Sequence, residues 1–272
     1  MRTLKDHVIL YDEECPMCKL YTNAFVKTGM LEETGRACYQ NLPEPVVLHV
    51  DLQKAVNEIA LVNRKTGQVT YGIHSLFSII GYAYPVFRRL FTFGPFVWLM
   101  RKAYAFISYN RRVIIPSSQG TPAGLQPSFV MRYRIAYLIF TWLVTAYILS
   151  HYAKLLMGVV PAGGTEREYL VCGGQILFQG LIAGTLFRKK AWDYLGNMMT
   201  ISLAGALLLL PGLLVALFFP AYPVVYTLYF MLVAGLMLLE HIRRTRLLQL
   251  GWVLTFTWVA YRAAILLLIF FL

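Results

Sequence analysis

The chain has 272 residues, 58% of them hydrophobic and 14% charged, with a mean hydropathy of +0.58. Soluble domains average about 45–50% apolar and about 25% charged residues, so this composition excludes an ordinary soluble protein and points to a membrane protein. The net charge of +12 does not signal nucleic acid, because the basic residues cluster beside apolar spans, where membrane topology and anionic lipid account for them.

In chain order, the opening "MRTLKDHVIL" has too short an apolar core for a secretory signal and no small-residue cleavage site, so export by cleavage is not expected. "HVILY" (7–11) is a short apolar run of the kind a buried strand makes. An acidic knot follows, Asp12-Glu13-Glu14, and then Cys15-Pro16-Met17-Cys18. "CPMCKLYTNAFVKTGML" repeats apolar residues at helical spacing, with Leu20, Ala24, Phe25 and Met30 near one stripe, and Pro16 suits a first helical turn. "ACYQNL" is a second strand candidate and "DLQKAVN" a short helix. The runs 58–63 and 68–72 around Lys65-Thr66-Gly67 read as a hairpin. "IHSLFSIIGYAY" is expected to be helical, with Ile73, Leu76, Phe77 and Ile80 on one side. Strand, helix, strand, helix, hairpin, helix is the order of a small thioredoxin-like α/β domain, placed at residues 1–115.

Residues 85–112 mix aromatic side chains with Arg and Lys, and no charge-free stretch of 18 residues occurs among them. This segment is expected to lie in the membrane interface rather than to cross. Residues 116–130 are rich in Pro, Gly and Ser and read as a linker.

Residues 131–272 form an all-α transmembrane domain of about five spans: Ile135–Met157, Tyr169–Phe187, Tyr194–Phe219, Val224–Glu240 and Leu247–Leu272. The weakest boundary is at Pro220–Pro223, where one long broken helix is the alternative, and Pro211 is expected to kink the third span. "MRYR" (131–134), "RKKAWD" (188–193) and "HIRRTR" (241–246) read as basic connections, whereas "GVVPAGGTERE" (158–168) and "PAYP" (220–223) are nearly free of Lys and Arg. Positive-inside sorting of that alternation predicts an integral membrane protein, of a bacterial inner membrane, with the N-terminal domain cytoplasmic and Leu272 on the opposite side. Gln175, Gln179, Asn197, Thr200, Glu240, His241 and Arg262 are polar residues within or at the ends of spans. They fit interhelical hydrogen bonding, snorkelling or a ligand pocket. The small residues of "GGQILFQGLIAG" (173–184) favour close helix contact.

A Cys-x-x-Cys at the start of a helix has a chemical logic. Unpaired N–H groups and the helix dipole stabilise a thiolate at the first cysteine, and the second, one turn on, can resolve a mixed disulfide. Asp12, Glu13 and Glu14 oppose that thiolate and Lys19 favours it. Asp12 either relays a proton of the buried thiol or is a solvated turn residue or helix cap. A structural zinc site would need about four ligands, and the sequence offers only Cys38, His7, His49 and His74 beside the pair. Haem attachment would need His where Lys19 stands. Cys38 and Cys172 read as buried small residues.

"YDEECPMC" carries the Asp-x-x-Cys-x-x-Cys signature and resembles the DCC family of thiol-disulfide oxidoreductases. "ALVNRKTGQVTYGIHSLFSII" resembles that family's hairpin, Gly and following helix, and "AYAFISYNRRVI" its closing Tyr-to-Asn-Arg segment, so the likeness covers about residues 7–115. The resemblance implies a thioredoxin-like fold, with Cys15 the nucleophile, Cys18 the resolving thiol and Asp12 the third motif residue. Glu13 stands where many members have Gly, and no counterpart to the cis-proline of thioredoxins is evident. The expected partners are a protein or small-molecule thiol or disulfide and membrane lipid. No cofactor is expected unless the spans take up a lipid-soluble quinone. The alternative functions are a multi-span transporter or scaffold whose head binds or senses, and a quinone-linked redox protein.

Overall fold

The structure is a computed structural model and describes residues 1–41, 50–116, 127–161, 163–164, 166–219 and 222–271. The chain divides into two compact units, Met1–Tyr133 and Arg134–Leu272.

The first unit is built on four strands, β1 (His7–Tyr11), β2 (Arg36–Cys38), β3 (Ala60–Asn63) and β4 (Val69–Tyr71), in the order β2-β1-β3-β4. β2 runs parallel to β1, while β3 is antiparallel to both β1 and β4. A parallel pair needs a crossover, and α1 (Pro16–Lys27) lies in that connection. The sheet is covered on both faces. Val8 and Leu10 of β1 pack with Val50, Ala55, Ala60 and Val62, toward α2 (Leu52–Asn57). Ile9, pointing the other way, packs with Leu31, Leu61 and Ile79, toward α1 and α3 (Ile73–Ala83). A strand buried on both faces has no polar side to show, which is why "VIL" is an unbroken apolar run.

Three local features differ from the sequence reading. The second strand stops at Cys38 and the chain enters a 3₁₀ turn at Tyr39–Asn41, so "ACYQNL" supplies a short strand and then a polar corner. Helix α3 does not have a single buried stripe: Ile79 is fully buried against the sheet, while Ile80 is only half-buried. Phe77, on another side, stacks on Phe91 at 4.2 Å between ring centroids. The cause is that the basic-aromatic segment folds back over α3. That segment forms α4 (Arg88–Thr92) and α5 (Gly94–Ile114). Its first half leaves Val86, Phe93, Trp98 and Leu99 exposed, as an interfacial segment would, but its end buries Ser108, Asn110, Arg111 and Val113 in the unit. Of the linker, 117–126 lie outside the described residues. Ser128 is tied to α2, its N–H donating to Asn57 Oδ1 at 2.8 Å and its Oγ accepting from Asn57 Nδ2 at 3.1 Å.

The second unit holds five helices long and apolar enough to cross a membrane: α6 (Met131–Tyr152, continued by a 3₁₀ turn to Leu156), α7 (Arg167–Leu186), α8 (Ala191–Ala216), α9 (Pro223–Leu247) and α10 (Val253–Phe271). The helices start or end inside connections expected to be loops. All of "HIRRTR" is helical, closing α9, because Arg244 is buried against the bundle and bonds Glu240 and Asn197. Ala191–Asp193 open α8, where Asp193 in the first turn complements the helix dipole. Helices α8 and α9 are separate, and α8 stays helical through Pro211. α8 is the central helix: 44% of its membrane-crossing window is buried, against 11% for α9. Exposed Leu, Val and Phe side chains on the other helices face outward, as a lipid solvent allows.

Candidate thiol site at the start of α1

β1 ends at Tyr11 and α1 begins at Pro16. Between them the chain makes one turn, closed by the Cys15 N–H donating to the Asp12 carbonyl at 3.1 Å. Asp12 Oδ1 accepts the Glu14 N–H at 3.1 Å within that turn. Cys15 is the N-cap of α1, its Sγ accepting the Cys18 N–H at 3.3 Å, and Pro16 takes the first helical position, where no N–H is needed. The sulfur therefore occupies the place where a cap oxygen usually sits, at the positive end of the helix.

Both thiols are free, and their side chains are within hydrogen-bond reach of each other. The Cys18 thiol donates to Cys15, and this is the largest influence lowering the Cys15 pKa to about 7. Burial opposes it, and the Arg111 guanidinium and the Cys18 backbone N–H add to it. The Cys18 pKa is raised, first because it is the donor in that bond and then by burial. The two cysteines thus have opposed tendencies, one toward thiolate and one toward thiol, as an attacking and a resolving sulfur require.

Beneath the pair lies a buried ion pair. Asp12, 2% exposed, accepts Arg111 Nη2 at 3.3 Å, and Arg112 Nη2 stands 3.8 Å from the same oxygen. Gln40 Nε2 donates to Asp12 Oδ1 at 2.9 Å, and Arg111 Nη2 also donates to the Val56 carbonyl at 2.7 Å. Burial works against the Arg111 charge, but Cys18, Cys15, Asp12 and Tyr39 around it outweigh burial and hold it protonated. Tyr39 is buried beside Asp12, and burial followed by the Asp12 charge pushes its pKa up. Burial likewise raises Tyr21, which neighbours Cys18.

Several expectations about these side chains are corrected. Asp12 is neither a solvated turn residue nor the helix cap: it is buried, and Cys15 is the cap. The cation acting on Cys15 is Arg111, brought in by the far end of α5, whereas Lys19 is exposed. Arg111, Gln40 and Tyr39 were not singled out from the sequence. For Arg111 the available signal was the closing "AYAFISYNRRVI" segment, whose Tyr-to-Asn-Arg run includes it. Cys38, closing β2, is half-buried, and Cys172 lies in α7 of the other unit.

No family model, curated protein or solved structure matches this chain. The chemistry is read from the side chains themselves. Among the described residues no three His, Cys, Asp or Glu side chains gather closely enough to hold a metal ion. His7 bonds the Lys5 carbonyl at 2.7 Å, and His49 lies outside the described residues.

Within the second unit the polar residues of the spans fall into two sets. Most are paired. The Tyr194 hydroxyl donates to Gln179 Oε1 at 2.9 Å and contacts His241 Nε2 at 3.2 Å, and His241 Nδ1 meets Thr255 Oγ1 at 3.2 Å. Arg244 Nη1 donates to Asn197 Oδ1 at 2.9 Å, and Thr200 meets the Tyr137 hydroxyl at 2.7 Å. These bonds tie helices together. Gln175 and Arg262 belong to the second set and line a cavity.

Proposed function

We propose that the N-terminal unit is a thiol–disulfide oxidoreductase head carried by a five-helix membrane unit. The observation that carries the reading is Cys15 at the N-cap of α1, its sulfur receiving the Cys18 N–H and thiol with Arg111 behind. In the forward direction the Cys15 thiolate attacks one sulfur of a substrate disulfide, forming a mixed disulfide and releasing the other sulfur as a thiolate that takes a proton from water. Cys18 then attacks Cys15 Sγ, its proton passing to the departing substrate thiolate. The Cys15–Cys18 disulfide forms, the second substrate thiol leaves, and two electrons pass from the protein dithiol to the substrate. The reverse sequence oxidises a substrate dithiol. Asp12 holds Arg111 in place rather than meeting substrate.

The sheet order β2-β1-β3-β4, with one parallel pair and helices on both faces, supports a thioredoxin-like fold. The Asp-x-x-Cys-x-x-Cys motif and the closing segment that supplies Arg111 support placement in the DCC family. Basic connections on one side of the spans support a head facing the cytoplasm of a bacterial cell, with the C-terminus across the membrane.

Testing uses turnover of a model disulfide by the purified full-length protein. Cys15→Ala abolishes turnover, and Cys18→Ala accumulates mixed disulfides. Wild-type turnover in both variants would overturn the proposal. A second reading, a head that binds or senses, is favoured by the exposures of Cys15 and Cys18, 5% and 4%. So little exposed sulfur means that a bulky substrate reaches Cys15 only after local opening. A Cys15 alkylation midpoint near the unperturbed thiol value of about 8.5 would favour that reading.

A further inference from the structure

All five membrane-crossing helices contribute to one cavity of about 50 Å³ within the second unit. Its lining is mostly apolar, but Thr145, Cys172, Gln175, Ser202 and Arg262 also border it. Three of these carry a buried polar atom with no partner among the described residues: Thr145 Oγ1, Gln175 Nε2 and Arg262 Nε. Thr145 is 2% exposed and Gln175 6%. Other helical hydroxyls of this unit donate to the carbonyl one turn back, among them Thr141 to Tyr137, Thr200 to Gly196 and Ser202 to Met198. Thr145 leaves its hydroxyl unused.

Among the described residues no carboxylate lies within ion-pair distance of Arg262, and its guanidinium instead sits 4.0 Å from the ring centroid of Trp258. A cation at bilayer depth is costly unless it is paired, and a cation–π contact offsets only part of that cost. No Asp or Glu borders the cavity. The space is thus bounded by one positive charge and unpaired N–H and O–H groups, with no negative charge to neutralise them.

We propose that this cavity binds a small monovalent anion, of halide or carboxylate size, on Arg262, Gln175 and Thr145. Size sets the class. A water needs about 10–15 Å³ of such space and benzene fills a cavity of about 150 Å³, so the site has room for a halide or a carboxylate group and none for a quinone ring. The negative group can come from a free ion or from the carboxylate of a fatty acid entering from the bilayer. Either is held by the same three donors.

The experiment reads tryptophan fluorescence of the full-length protein in neutral detergent, titrated with iodide. Trp258 is 3% exposed, so collisional quenching from bulk solution does not reach it, whereas an ion bound at Arg262 does. The expected result is a saturable quenching component that is absent from Trp258→Phe and Arg262→Gln, retained in Arg262→Lys, and weakened at least tenfold in Gln175→Leu. Chloride and formate compete with iodide, and gluconate, too large for the cavity, does not. Oleate competing more strongly than formate assigns the site to a lipid carboxylate, and oleate failing to compete assigns it to a free ion. Purely linear quenching, unchanged in Gln175→Leu and unaffected by chloride, overturns the proposal. If Arg262→Gln fails to fold, the size series on the wild-type protein and the Gln175→Leu variant decide.

Discussion

At Cys15 a single sulfur caps a helix and is held toward its thiolate form. Its pKa of about 7 has ranked causes, and the ranking is testable. In a protein carrying Cys38→Ser and Cys172→Ser, the rate of Cys15 alkylation should rise with pH to a half-maximum near 7. The group is an acid with a lowered pKa, so the reactive form is present above that pH and lost below it. Removing the Cys18 thiol with Cys18→Ala should move the midpoint upward by about 1–2 units, the equivalent of a hydrogen bond to a charged group. Arg111→Gln should move it upward by less. Stopped-flow alkylation from pH 5 to 10 measures both. Asp12→Ala leaves Arg111 buried without its carboxylate and should cost about 3–5 kcal/mol of stability in the head, read as a lowered melting midpoint. The placing of both motif cysteines at one helix start was legible because their three-residue spacing follows a strand and Pro16 suits a first turn. Arg111 was not, because nothing local in "NRR" says which sulfur a helix end will reach.

Elements of the head were legible where a single strong signal marks them. "DLQKAVN" was legible as a short helix, and the structure starts that helix at Leu52 with Asp51 as its cap, Oδ1 accepting the Lys54 N–H at 3.0 Å. Asp51→Ala should destabilise the head by about 0.5–2 kcal/mol. Gly72 at the start of α3 has φ +64 and ψ −140, a conformation closed to side chains, and a Cβ there would stand 2.8 Å from Glu58 Oε2. Gly72→Ala should cost about 1–3 kcal/mol, measured by thermal melting of the purified protein. The stripe on α3 was misread because periodicity reports that a helix is buried on one side, not that a later segment covers another. In the membrane unit, small residues of "GGQILFQGLIAG" are small for different reasons. A Cβ on Gly174 would collide with the Tyr261 hydroxyl and one on Gly173 would press on Trp142, while Gly184 has nothing within 4 Å. Gly174→Val should therefore lower the melting midpoint, and Gly184→Ala should leave it unchanged.

Across the whole molecule, five helices are long and apolar enough to cross a bilayer, and an odd number of crossings would put the two ends of the chain on opposite sides. Reporter fusions at Met1 and after Leu272 should give opposite accessibility, and equal accessibility would remove one span or add one. What the sequence alone determined is the division into a sheet-bearing head and a unit of five helices long and apolar enough to cross a membrane, together with the helical spacing of Cys15 and Cys18. Each rests on a repeat or a composition shift that local chemistry enforces: twenty apolar residues span lipid whatever they pack against, and neighbours at helical spacing meet in any helix. Only the tertiary structure decided which charges act. Arg111 comes near the thiols because the segment carrying α5 folds back over α3, and Arg262, Gln175 and Thr145 border one cavity because five helices converge. A charge acts through distance in space, and sequence separation carries no measure of that distance until the chain has folded.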